Sequence, residues 1–360
     1  MLEMTLRTLV VDDSGMYRKI IQHALESLPN VEIVGTASNG RIALIKAASL
    51  KPDLITLDIE MPEMDGLETL EHLRTDMPDV SAIVFSNYTT EGARITLKAL
   101  ELGAFDFIPK PSSGSLAENT DEFKSRIMPI IDALIRLKRE AKRKQTHPRR
   151  IQAVLHPAVR SAGFNRGMGK SKAVAIGIST GGPVALTRVL PGIPSDIDAS
   201  IFIVQHMPPL FTDALAKKLD LISQIQVKEA VNGETIQSGT AYIAPGGKQM
   251  GVESFHPKDS MIIRVTDDPP ENNCRPSADY LFRSVARAYG RYATGVIMTG
   301  MGHDGTEGLR QMKECGAVII AQDEATSAVY GMPRKPVELG IVDVIAPLGT
   351  ISEEICRTVR

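Results

Sequence analysis

The sequence predicts two doubly wound α/β domains on one chain, from three observations. Short apolar runs alternate with helical patterns from residue 6 to about 137, a second such alternation starts at Lys172, and a basic polar stretch lies between them. Strand and helix in alternation imply a parallel sheet covered by helices on both faces, because each crossover must run over a face of the sheet. A chain of 360 residues also exceeds what one core usually organises. The expected division is residues 1–125, a helix and linker over 126–170, and a second domain over 171–360.

Strands buried on both faces read as short, mostly apolar runs. In the first domain these are Leu6 to Val11, Val31 to Ala37, Asp53 to Leu57, Ala82 to Phe85 and Phe105 to Ile108, which makes five βα units. Ligands of such a sheet bind beyond the carboxyl ends of its strands. The run Lys138 to Arg150, KREAKRKQTHPRR, extends the last helix before passing into a linker that continues to about Lys170. It reads as a solvated tether in preference to a contact for an acidic partner. The second domain opens with strands at Ala173 to Ile178 and Ser200 to Gln205, passes through a β-rich middle from Gln226 to Val265, and resumes with a strand at Thr294 to Met298 and a helix at Glu307 to Cys315.

A formal net charge of −2 and 43% hydrophobic residues fit a soluble globular protein and exert no global pull toward nucleic acid or membrane, so partners must be read from sites. Cys274, Cys315 and Cys356 form no CxxC pair and no even framework, which argues against a disulfide scaffold and a thiolate metal site. The N-terminus runs almost directly into the first strand without a signal pattern, and no apolar stretch is long enough to span a bilayer. A cytoplasmic, monomeric protein without direct membrane insertion is expected.

The first candidate site gathers at strand ends. Asp12 and Asp13 close the first strand, Asp58 closes the third, Ser86 follows the fourth and Lys110 the fifth. Three crowded carboxylates repel one another, and a hard divalent cation such as Mg²⁺ relieves this by taking their oxygens as ligands. Asp58 then acts as the nucleophile toward a phosphoryl group, with Lys110 offsetting charge and Ser86 bonding a phosphoryl oxygen. The stretches VDDS at 11–14, DIEMPEMDG at 58–66 and the pair Lys110-Pro111 resemble a response-regulator receiver domain. That resemblance implies a flavodoxin-like five-stranded parallel sheet, phosphorylation of Asp58 by a partner histidine kinase, Mg²⁺ held by Asp12 and Asp13 beside Asp58, and a response to phosphorylation at Ser86 and Lys110.

The second candidate site begins at AIGISTGGP, residues 175–183, where an apolar strand runs into a serine held in a glycine turn before a helix. Such an elbow exposes Ser179 for attack on an acyl carbon and offers helix N-terminal N–H groups to an oxyanion. A serine hydroxyl needs a base within reach, and the base needs an orienting carboxylate. His206 directly follows the strand expected beside that of Ser179, and is preferred over its rival His303. Asp304, in the glycine-rich loop TGMGHDG at 299–305, completes a candidate triad, against a plainer role as a turn or helix-cap residue. The order Ser, His, Asp differs from that of the α/β-hydrolase fold. A dinucleotide loop is disfavoured because Ser179 stands at the second glycine position, and no Gly-Lys-Ser/Thr follows the turn to make a P-loop.

GISTGGP at 177–183, QHMPP at 205–209, APGG at 244–247, RPSAD at 275–279, TGMGHDG at 299–305 and YGMP at 330–333 closely resemble the chemotaxis protein-glutamate methylesterases. The resemblance implies Ser179 as nucleophile, His206 as base and Asp304 as acid, with backbone N–H groups near Thr180 and Met301 for the oxyanion. It further implies a hydrolase that cleaves glutamate γ-methyl esters on methyl-accepting chemotaxis receptors, releases methanol, deamidates glutamines, needs no metal for either hydrolysis, and is activated by phosphorylation. A receiver tethered at high effective concentration is expected to cover the catalytic cleft until phosphorylated. Two other readings compete: a receiver-regulated hydrolase of another ester or amide, and a response regulator with a binding output. The scattered Lys and Arg of the second domain argue against nucleic acid.

Overall fold

The computed structural model describes residues 4–111, 115–146, 170–255 and 260–359. The chain divides into two compact units, residues 1–150 and 151–360. The expected linker, as far as it covers 147–169, lies outside the described residues.

The first unit alternates β1 (Leu6–Val11), α1 (Gly15–Glu26), β2 (Val31–Ala37), α2 (Gly40–Leu50), β3 (Leu54–Asp58), α3 (Gly66–Asp76), β4 (Ser81–Ser86), α4 (Thr90–Glu101), β5 (Asp106–Pro109) and α5 (Leu116–Thr146). Its sheet is parallel throughout, in the order β2-β1-β3-β4-β5. In this doubly wound order the strand sequence reverses between β1 and β3, and the crevice opens at their carboxyl ends. Asp12 and Asp58 stand at those ends. Phe85 of β4 packs against Phe123 of α5 with ring centroids 5.0 Å apart, which fastens the long last helix to the sheet. The helix continues through the backbone of the basic run to Thr146, as its sequence predicts.

In the second unit, β6 (Ala173–Ile178), α6 (Gly182–Val189), β7 (Ser200–Gln205) and α7 (Phe211–Ile222) lead into β8 (Gln226–Glu229), β9 (Thr240–Ile243) and an antiparallel ribbon of β10 (Gln249–Phe255) and β11 (Ser260–Thr266). The chain then returns through α8 (Ala278–Tyr289), β12 (Ala293–Ile297), α9 (Thr306–Glu314), β13 (Val318–Gln322), α10 (Arg334–Glu338), β14 (Val344–Ala346) and α11 (Ile351–Val359). Seven parallel strands form one sheet in the order β14-β13-β12-β6-β7-β9-β8. Every residue of β6, β7, β12 and β13 is buried, which explains their unbroken apolar sequences. After β6 the chain first builds outward through β7 and later returns to the opposite side of β6 with β12. That reversal makes a second crevice, at the carboxyl ends of β12, β6 and β7.

Candidate functional sites

The carboxylate site of the first unit is built by turns that bring the chain back over β3. Asp65 caps α3 by accepting from the Glu68 N–H at 2.8 Å, and Glu68 in turn accepts from the Asp65 N–H at 3.1 Å. A Cβ at Gly66 would stand 2.4 Å from the Asp58 carbonyl oxygen, so glycine is required where this loop closes. The motif that holds Asp58 thus contains the candidate phosphoryl acceptor, a close approach and a helix cap.

Lys110 Nζ donates to Asp58 Oδ2 at 2.6 Å and lies 3.0 Å from Asp12 Oδ2. The second approach is an ion pair without hydrogen-bond geometry, and it leaves Asp12 Oδ2 buried with no hydrogen-bond donor. Burial, and then the charge of Asp12, push the Asp58 carboxyl up to about 6, against the opposing pull of Lys110. Burial raises the Asp12 carboxyl too. Asp12, Asp13 and Asp58 each bring an oxygen to within 4.8 Å of the others. An all-oxygen donor set with an orphaned buried oxygen suits a hard divalent cation. Ser86 closes β4 beside this cluster, but its hydroxyl donates to Gly92 O at 3.0 Å in the first turn of α4 and makes no bond to Asp58. Tyr17, not anticipated from the sequence, lays its ring 4.7 Å from Lys110 Nζ.

At the second crevice, β6 and β7 pair to their last residues, Ile178 with Gln205, so Ser179 and His206 leave the sheet side by side. The His206 N–H donates to Ile178 O at 3.1 Å, and the Ser179 N–H donates to Thr299 O at 2.9 Å beyond β12. The glycines after Ser179 serve different needs. Gly181 has φ 77°, a left-handed conformation that disfavours side chains, and a Cβ at Gly182 would stand 1.9 Å from Gln205 Oε1. Thr180 follows Ser179 ahead of α6 and is buried. Met301 follows Gly300, where a Cβ would come 2.7 Å from Ser179 Cβ. The loop that carries Asp304 is therefore packed directly on the serine.

His206 Nε2 and Asp304 Oδ2 are 2.8 Å apart. Asp304 is 2% exposed and is met from several sides. Asn272 Nδ2 and Ser277 Oγ donate to its Oδ1 at 3.0 and 2.8 Å, as does the Asp279 N–H at 3.2 Å, while the Ala278 N–H donates to Oδ2 at 2.7 Å. The carboxylate thus sits on the N-terminus of α8, where unpaired N–H groups favour negative charge. Burial opposes its ionisation, but the bond and charge of His206, followed by these donors, hold the carboxyl far below the usual range. For His206 burial likewise opposes the charged form. The hydrogen bond to Asp304, followed by the bond and charge of Cys274 and the charge of Asp304, outweighs it and raises the imidazole above its ordinary value.

The other ring nitrogen, Nδ1, faces Cys274 Sγ at 3.7 Å, and no side-chain hydrogen bond joins His206 to Ser179 among the described residues. His303, the rival base, is exposed, and its carbonyl accepts from the Thr306 N–H. The contacts of Asn272, Ser277 and Cys274 were not legible in the sequence. Their one signal was position: Ser277 lies within RPSAD and Asn272 and Cys274 just ahead of it, a stretch singled out by its resemblance but given no role.

A receiver unit ahead of an α/β unit with a Ser, His and Asp at its switch point defines a response regulator whose output is an enzyme. The chain belongs to the CheB methylesterase family, which matches residues 174–355, and the response regulator receiver domain family matches residues 8–119. It is 49% identical over 360 residues to the protein-glutamate methylesterase/protein-glutamine glutaminase of Desulfotalea psychrophila, with 99% of each chain covered. Identity to the protein of the same name from Geobacillus kaustophilus is 44%, again with 99% of each chain covered. The crystal structure of the Thermotoga maritima CheB methylesterase catalytic domain is similar with a TM-score of 0.50 and 39% identity, covering 52% of this chain and 98% of that one.

Proposed function

We propose that this chain hydrolyses glutamate γ-methyl esters of chemoreceptors to glutamate and methanol, deamidates receptor glutamines, and is activated by phosphorylation of Asp58. The observation that supports it most is the Asp304–His206 pair at 2.8 Å, beside the strand end that carries Ser179. Ser179 Oγ attacks the ester carbonyl carbon while His206 accepts its proton. Because Asp304 occupies Nε2, the accepting atom is Nδ1. The oxyanion is received by the backbone N–H groups of Thr180 and Met301. His206 returns the proton to the methoxide, which leaves as methanol, and the same sequence with water as nucleophile releases glutamate from the acyl-enzyme. An amide presents the same carbonyl with ammonia as the leaving group.

We assign residues 1–125 to the receiver, 126–170 to a helix and linker and 171–360 to the hydrolase, with Asp58 of the receiver accepting the phosphoryl group from a histidine kinase. Asp12, Asp13 and Asp58 would hold Mg²⁺, which supplies charge compensation for the transferred group. Lys110 orients and offsets the Asp58 carboxylate. Ser86 exchanges its bond to Gly92 O for a phosphoryl oxygen, and so reports phosphorylation to α4. No helix among the described residues is long and apolar enough to cross a membrane.

The test is methanol release from methylated chemoreceptor membranes, with and without a small phosphodonor and Mg²⁺. Ser179→Ala should abolish release and Asp58→Ala only its stimulation. Asp304→Asn should lower the rate by about 10⁴-fold, as loss of the orienting carboxylate does in serine proteases. The rate should rise with pH as His206 loses its proton, at a midpoint above that of free histidine; in Asp304→Asn that midpoint should fall. Release undiminished in Ser179→Ala would overturn the assignment.

A further inference from the structure

The cysteine spacing argues against a metal site, yet the fold brings one thiol to an imidazole 68 residues away in sequence. Cys274 Sγ lies 3.7 Å from His206 Nδ1 and 3.4 Å from Asn272 O. We propose that His206 and Cys274 form an inhibitory binding site for a thiophilic divalent cation of the Zn²⁺ class, at the catalytic centre itself.

Distance supports this first. Tetrahedral Zn²⁺, with Zn–S about 2.3 Å and Zn–N about 2.0 Å, holds its sulfur and nitrogen about 3.5 Å apart. The observed separation is already close to that. Orientation supports it second. Asp304 bonds Nε2, which fixes that nitrogen as the protonated one and leaves the Nδ1 lone pair on the thiol side, the carboxylate–histidine–metal arrangement that metal sites use. Rigidity supports it third. The turn carrying Cys274 is closed by two backbone hydrogen bonds with Glu271, at 3.1 and 2.7 Å, and Gln249 Nε2 donates to Cys274 O at 3.4 Å. The thiol is therefore held in place, while remaining partly exposed to an arriving ion.

On binding, the metal–sulfur bond replaces the S–H bond and the metal–nitrogen bond replaces any proton held on Nδ1, and the displaced protons pass to solvent. The remaining coordination positions fall to water or the Ser179 hydroxyl. The ion occupies the lone pair that would accept the Ser179 proton, so the nucleophile loses its base. A hard cation such as Mg²⁺ gains little from sulfur and imidazole. One chain would then sort two cations, taking the hard one at the receiver carboxylates and the thiophilic one at the hydrolase.

The test uses the full chain carrying Cys315→Ser and Cys356→Ser, so that Cys274 is the sole thiol. Titration with Co²⁺ should produce a thiolate-to-cobalt charge-transfer band in the near ultraviolet that Cys274→Ala lacks. In Asp304→Asn the cobalt affinity should fall about tenfold, the usual loss when an outer carboxylate is removed. Titration of methanol release with ZnCl₂, each variant measured against its own metal-free rate, should give inhibition reversed by a chelator. Its midpoint should rise at least about tenfold in Cys274→Ala, since loss of a direct ligand costs no less than loss of an outer one. Absence of the cobalt–thiolate band, or an unchanged zinc midpoint in Cys274→Ala, would overturn the proposal. The inhibition experiment rests on the esterase reading and the cobalt experiment does not. A cobalt band in a protein that releases no methanol would support the metal site and sink the esterase reading instead.

Discussion

At the scale of single residues, the two sites place carboxylates in opposite environments. Asp304 receives four hydrogen-bond donors and a histidine, so its charge is stabilised although it is buried. Asp58 is equally buried but has one cation, which it shares with Asp12, and its carboxyl rises to about 6. A folded-state value above the unfolded one means that the ionised group costs stability. Stability is fully retained below the unfolded value of about 4 and is lost as the pH climbs through 6. Asp58→Asn, measured in a chelating buffer, should therefore stabilise the receiver by about 3 kcal/mol at pH 7.5 and by almost nothing at pH 4. Amide exchange of the β3 segment in the full chain would report it. Added Mg²⁺ should narrow the gap by binding only the folded wild-type cluster. A gap that is independent of pH would exclude Asp58 ionisation as its cause.

At the scale of elements, the histidine and the aspartate depend on how closely helices approach the sheet. The N-terminus of α8 can cradle Asp304 because glycines let the helix in. A Cβ at Gly177 would meet Ala278 Cβ at 2.8 Å, and one at Gly308 of α9 would stand 2.6 Å from Phe282 Cβ and 2.9 Å from the Asp279 carbonyl oxygen. Phe282 is fully buried in the same core as Ala278 and Leu309. Gly308→Ala should thus push α8 and α9 apart, at about 1–3 kcal/mol of stability by overpacking. Since Asp279 and Ala278 supply N–H groups to Asp304, the same substitution should lower methanol release with the protein still folded. Urea denaturation paired with the activity assay separates the two effects, and full activity in a destabilised variant would show that α8 does not position Asp304.

At the scale of the whole molecule, the same doubly wound plan is used twice, and each time the reacting groups lie where strand order reverses, between β1 and β3 and around β6. In the reading proposed above, one unit offers hard oxygen ligands and a phosphoryl acceptor, and the other a nucleophile with its base. On one chain, a tethered receiver would meet the hydrolase at high effective concentration, so modest interaction energies would suffice for control. If control is inhibition relieved by phosphorylation, deletion of residues 1 to about 140 should raise methanol release above that of the unphosphorylated full chain. A folded fragment slower than the unphosphorylated full chain would instead mean that the receiver activates by direct assistance.

The strands β1, β2, β6 and β7 were legible to the residue, because runs rich in apolar and β-branched residues bounded by turn residues mark strands, whether buried throughout as in β6 and β7 or partly exposed as at the edge strand β2. The placement of Asp12, Asp58, Lys110, Ser179, His206 and Asp304 at strand ends and in a glycine loop was legible as well, since each directly follows, or stands at the end of, such a run or lies between glycines. The sequence by itself determined the doubly wound class, the two sites and the chemistry they suit, all of which depend on local pattern and spacing. Only the tertiary structure decided which atoms meet. It set Asp304 on the N-terminus of α8 with Asn272 and Ser277, turned the Ser86 hydroxyl to α4, and brought Cys274 to the histidine. Apart from the Ser86 bond, which reaches only to Gly92, those contacts join segments tens of residues apart, and their geometry is fixed by helix packing and turn conformation, which a single sequence does not encode in any local pattern.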